Sequence, residues 1–148
     1  MEHLFKQNDG GREAAGFKGS AGDCVTRAVV IATQQDYRTV YNALSEGCRT
    51  QRRTSRSPQR RSSARNGVNV QRLWFKRYMD RLGWVWTPTM HIGSGCTVHL
   101  RSEELPRDRL VVALSRHYTA MIQGVIEDLY DPSREGTRCV YGYWRKRS

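Results

Sequence analysis

Seven arginines and no acid fall between Arg49 and Arg65, in the stretch RTQRRTSRSPQRRSSAR. Like charges at that density repel one another and resist burial, so this stretch reads as a flexible arm, at about 47–67, outside any core. Two helices are expected before it, and a third helix followed by strand-like texture after it. With 148 residues in all, one compact domain over 1–148, interrupted by the arm, is the expected organisation.

Before the arm, Val25, Ala28, Val29 and Ala32 stand at i, i+3, i+4 and i+7, the stripe of a helix that starts at Cys24. Asp23 is placed to cap it. A second helix opens on Asp36 and turns Tyr37, Val40, Tyr41 and Leu44 to one side. A third is expected from about Asn69 to Leu82, with Val70, Leu73, Trp74 and Tyr78 inward and Gly83 as its stop. The first twenty residues, polar and glycine-rich, read as an irregular lead-in.

After Gly83 the expected strands are Trp84 to Trp86, Cys96 to Leu100, Leu110 to Leu114 and Val140 to Trp144. A hairpin of His117 to Ile122 and Val125 to Tyr130 turns around Gln123-Gly124. Helices first and strands afterwards predict an α+β fold, with N-terminal helices packed on a mostly antiparallel sheet.

The longest apolar run, Ala28 to Ala32, is far short of the ~20 residues of a membrane helix, and residues 1–11 lack the apolar core of an export signal. The sequence therefore predicts a cytoplasmic protein whose thiols Cys24, Cys48, Cys96 and Cys139 are all free. Fourteen aromatic residues, from four Trp, seven Tyr and three Phe, speak against a disordered chain.

A cysteine in the first turn of a helix differs from one in mid-strand, because free N–H groups and the helix dipole favour its thiolate. Cys24 has that position. A thiolate nucleophile needs a proton carrier and a group to orient it. His117 and Asp131 are the candidates, one opening a hairpin strand and the other following its partner. A three-residue loop, Ile122 to Gly124, turns both to the same face, and a two-residue loop turns them to opposite faces. Asp128, three residues earlier and on the opposite strand face, competes for the orienting role.

GDCVTRAVVIAT and the later SRHYTAMIQGVIEDLYDPS resemble the papain-like cysteine peptidase superfamily in the order Cys, His, Asp. The spacing and the His…Asp-Pro pattern are particularly similar to bacteriocin-leader-processing peptidases. RSSARNGV, PTMHIGSGCTVHL and CVYGYW resemble a family of small bacterial and phage proteins of the same type, over nearly the whole chain. The resemblance implies a papain-like fold, with Cys24 as nucleophile, His117 as acid/base and Asp131 as orienting group. The implied activity is hydrolysis of a peptide or isopeptide-like amide bond through a thioester, needing no cofactor. Acyl transfer or deamidation would use the same triad. Papain-like enzymes usually carry a Gln shortly before the cysteine, where this chain has FKGSAGDC. The Cys24 N–H and a group on Lys18 or Ser20 are the replacements offered for the oxyanion donors.

His91, Cys96 and His99, with Cys139 as a fourth, offer zinc-compatible side chains, but the spacing fits no common zinc site, and no metal is expected. The net charge of +11 falls to +4 without the arm (11 − 7), so most of the excess is local. The expected partners are a peptide or protein substrate and, through 49–65, nucleic acid or an acidic protein; a membrane is not among them. A non-catalytic nucleic-acid-binding protein acting through the arm is the alternative reading.

Overall fold

The stripe that begins at Val25 folds as α1 (Cys24–Thr33), and Val25 to Ala32 are buried along it. The computed structural model describes residues 4–18, 22–51, 63–65 and 67–147. Most of the arginine-rich arm therefore lies outside the described residues. α2 (Tyr37–Thr50) opens on Asp36, whose carboxylate accepts from the Thr39 N–H at 3.2 Å, the cap expected there. α3 (Leu73–Arg81) starts four residues later than expected. The Asn69 side chain accepts from the Gln71 N–H at 3.0 Å and its carbonyl from Arg72 N at 3.2 Å, so a turn occupies 69–72. The late start rotates the buried face: Phe75, Tyr78 and Met79 point inward and Leu73 is exposed.

Six strands form one sheet: β1 (Phe5–Gln7), β2 (Trp84–Pro88), β3 (Arg109–Leu114), β4 (His117–Ile122), β5 (Val125–Asp128) and β6 (Gly142–Lys146). Their order is β1-β5-β4-β3-β6-β2, with β1 parallel to β5 and the other pairings antiparallel. The fold is α+β. β1 lies in the segment expected to be irregular. Three residues carry too short a pattern to read, and the strand is defined by its partner, with Phe5 opposite Ile126.

β3 reads RLVVAL because both of its faces are covered. Val111 and Ala113 pack with Val29, Val40, Leu44 and Phe75 beneath the helices. Leu110, Val112 and Leu114 pack with Leu100, Met121 and Val140 in a second cluster. Each such burial contributes about 1.5–3 kcal/mol. The Arg109 side chain crosses to α1 and donates to the carbonyls of Ala32 at 2.7 Å and Ile31 at 2.6 Å, satisfying the end of that helix.

The expected strand from Cys96 to Leu100 reduces to a single antiparallel bridge, His99 to Cys139. That bridge corrects the thiol expectation too. Cys96 and Cys139, 43 residues apart, form a disulfide with their Cα atoms 5.8 Å apart, so only Cys24 and Cys48 are free. Spacing along the chain carries no sign of such a pairing, because the bridge itself brings the two together. Among the described residues, no helix is long and apolar enough to cross a membrane.

Candidate active site

Cys24 is the first residue of α1, and His117 is the first residue of β4. Both are half-buried and line one cavity of about 510 Å³, whose apolar walls include Val25, Val70, Leu114 and Tyr130. The end of the arm does not stay outside the core as expected: Ala64 is buried in the cluster of Val29 and Phe75, its carbonyl accepts from the Thr26 hydroxyl at 2.8 Å, and the chain after it brings Gly67 and Val68 to the same cavity. The Tyr130 ring lies against the imidazole of His117, centroids 5.6 Å apart.

Asp23 precedes α1 but does not cap it. Its buried carboxylate is engaged by Arg27, one turn along the helix, and by the Tyr37 hydroxyl at 2.6 Å. The first N–H groups of α1 are thus left without an acidic side chain, and their field acts on the Cys24 sulfur.

The hairpin decides the orienting group. Ile122 pairs with Val125, so the loop is the two residues Gln123-Gly124, at φ 50° and 84°. Both angles are those of a type I′ turn. Continued from Ala120 opposite Glu127, this register sets Thr119 opposite Asp128, on the face that His117 shares two residues earlier. The His117 Nε2 lies 2.7 Å from Asp128 Oδ2, and the Thr119 hydroxyl donates to the same oxygen at 2.7 Å. Asp131 is not the partner of His117. It is exposed, accepts from the Ser133 N–H at 2.9 Å, and lines a different cavity of about 490 Å³ with Arg101 and Met121. His117 meets Asp128 and not Asp131 because a two-residue turn, not a three-residue loop, sets the register.

With Nε2 on Asp128, Nδ1 is the other ring nitrogen, and His117 and Cys24 line the same cavity. Burial pushes the Cys24 thiol up, but hydrogen bonds from His117 and the Tyr118 N–H, with the charges of His117 and Arg27, outweigh it and leave the thiol below its ordinary value. Burial pulls His117 down, while bonding to Asp128 and Cys24 and their negative charge raise it to about 9. Burial likewise opposes the Asp128 carboxylate, and hydrogen bonds from His117 and Thr119 bring it below the usual range. The directions for Cys24 and His117 both favour the charged form, thiolate and imidazolium, of the pair. Cys48, half-buried without such partners, is pushed up to about 11 by burial.

Lys18 and Ser20 were the expected sources of a second oxyanion donor. Lys18 is exposed and its carbonyl accepts from Arg12 at 3.2 Å, while Ser20 lies outside the described residues. The zinc-compatible set is broken by the bond between Cys96 and Cys139, and His99 Nδ1 lies 3.2 Å from Glu104. Sequence reasoning missed Thr119 and Arg27. The i, i+4 spacing of Asp23 and Arg27 was the one available sign of the latter. No protein-family model, curated protein or solved structure matches the chain.

Proposed function

We propose that this chain is a papain-like cysteine hydrolase that cleaves a peptide or isopeptide-like amide bond. The observation that carries the reading is His117, 2.7 Å from the buried Asp128 carboxylate, lining one cavity with Cys24 at a helix start. The Cys24 thiolate would attack the carbonyl carbon, and the resulting oxyanion would draw on the Cys24 N–H. As the tetrahedral intermediate collapses, the C–N bond breaks and the His117 imidazolium gives its Nδ1 proton to the departing amine. This leaves a thioester on Cys24. Neutral His117 then takes a proton from water, whose oxygen attacks the thioester carbonyl, and the acid departs as thiolate and imidazolium reform. Acyl transfer would replace that water by another nucleophile. Asp128 stays ionised throughout and holds the ring.

Iodoacetamide at pH 6, followed by mass-spectrometric mapping, tests the nucleophile. Stoichiometric modification of Cys24 ahead of Cys48 supports the reading, and equal or slower modification of Cys24 removes it.

The seven arginines between 49 and 65 favour a second reading, contact with nucleic acid or an acidic protein through that run. Nucleic-acid binding would weaken steeply between about 50 and 200 mM salt, and deletion of 49–65 would flatten the dependence. The Cys96–Cys139 bond counts against the cytoplasmic location expected from residues 1–11, since cytosolic thiols are mostly kept reduced.

A further inference from the structure

Behind the Cys24–His117 pair lies a buried charged cluster of which the hydrolytic steps use only Asp128. Arg27, Arg12, Asp23 and Asp128 are each less than a tenth exposed. The Arg27 guanidinium pairs with Asp23 on one side and lies 3.5 Å from Asp128 Oδ1 on the other. The other oxygen of Asp128 serves His117 and Thr119. Asp23 is held in turn by the Tyr37 hydroxyl, which accepts from Arg12 at 3.0 Å. A buried ion of either sign is costly unless paired, so three cations (Arg12, Arg27 and protonated His117) against three anions (Asp23, Asp128 and the Cys24 thiolate) make a balanced set.

We propose that Arg27 is a positioning residue of this site. By pairing with Asp23 and Asp128 together it fixes the Asp128 carboxylate against His117, and it adds its positive charge to the field around the Cys24 sulfur. Asp23 anchors the guanidinium, which explains why that carboxylate forgoes the helix cap. Arg27 stands three residues after Cys24 and lines the same cavity, so its charge faces the sulfur across one helical turn. Among the described residues, the other ionisable groups lining that cavity are Arg116, His117, Tyr118 and Tyr130. Those facing Arg27 from the rest of the cluster are Asp23 and Asp128, with Tyr37 and Arg12 beyond them. The inference rests on the hydrolase reading for its catalytic meaning, but its test does not.

The test is the pH midpoint of Cys24 alkylation by iodoacetamide in the full chain, compared between wild type and Arg27→Gln. Removal of the charge is expected to raise the midpoint by about one pH unit, roughly a tenfold loss of thiolate on the acid side. Arg27→Lys keeps the charge and is expected to recover most of that shift. Asp23→Asn keeps Arg27 and is expected to leave the midpoint at or below the wild-type value. Where Arg27→Gln does not fold, Asp23→Asn/Arg27→Gln removes the buried pair together, and its midpoint is compared with that of Asp23→Asn instead. An unchanged midpoint in the folded charge-removed variant overturns the role of Arg27. An ordinary thiol midpoint in wild type overturns the hydrolase reading alone, because the difference between the two proteins still decides the inference.

Discussion

His117 holds its proton to about pH 9, whereas the Cys24 thiol gives its proton up below the ordinary thiol range. Between those limits the site carries a thiolate and an imidazolium together, the state that both attacks and protonates. Hydrolysis is therefore expected to fall on the alkaline side near pH 9, as His117 loses the proton owed to the leaving group, and on the acid side as Cys24 becomes protonated. A pH profile against a peptide amide pool checks this, and a lone alkaline rise, as for an ordinary thiol, would contradict it. Asp128→Asn removes the charge opposite the imidazolium and is expected to slow Cys24 alkylation at pH 6 by about tenfold. Asp131→Asn is expected to leave the rate unchanged, and the reverse ranking would restore the original assignment. Cys24 and His117 could be found in the sequence because each role ties a residue type to an element's first position. The third member could not be settled there. Asp128 ends β5 and Asp131 follows it, and which of them shares the face of His117 depends on a turn length that Gln123-Gly124 permits but does not dictate.

At the scale of elements, the β4–β5 hairpin assembles the site, its register set by the two-residue turn and held by the buried residues of β5. Insertion of one Gly between Gln123 and Gly124 would lengthen a type I′ turn into a three-residue loop. If β5 then keeps its core residues, Ile126 against Met121, the insertion is absorbed in the loop and His117 keeps Asp128. The buried alternation is expected to enforce this, so alkylation at pH 6 should change little while the hairpin loses some stability. A shifted register would instead turn Ile126 outward and Asp128 away from His117, and the alkylation rate would collapse. A second close contact fixes the helices: any Cβ on Gly47 would overlap the Trp74 ring, joining α2 to α3. Gly47→Ala is expected to lower stability by about 1–3 kcal/mol, the usual range for overpacking, as measured by urea unfolding. The helices were readable from Val25, Val40 and Leu44 because a 3.6-residue period repeats along them. The start of α3 was not, since the Asn69 turn competes locally with helix, and β1 was not, since its only specification is the neighbouring Ile126.

At the scale of the whole molecule, the Cys96–Cys139 bond and the Cys24 site belong to different parts of the structure. The bond ties the segment before Leu100 to the chain entering β6, where Leu100 donates to the Arg138 carbonyl at 2.9 Å and Val140 to the Val98 carbonyl at 2.8 Å. These contacts lie over the cluster of Leu100, Val112 and Val140, whereas α1 packs on the cluster of Val29, Val111 and Tyr118. The 43-residue separation gives the bond about 4 kcal/mol on the chain-entropy account, with about 2–4 kcal/mol the commoner result in practice. Cys96→Ser/Cys139→Ser is therefore expected to lower the free energy of unfolding by about 2–4 kcal/mol and to leave the rate of Cys24 alkylation at pH 6 at its wild-type value. Urea unfolding gives the first quantity and mass-spectrometric mapping the second, in one preparation. Dithiothreitol on the wild-type chain should reproduce the stability loss but not add to it in the double variant, which separates opening of this bond from any effect on Cys24 or Cys48. A fall in alkylation rate that tracks the lost stability would mean that the two clusters unfold as one and that the sheet transmits strain from β6 to the His117 end of β4. An unchanged rate would make the disulfide a brace of the far cluster alone, with the paired thiolate sustained entirely by α1, β4 and β5.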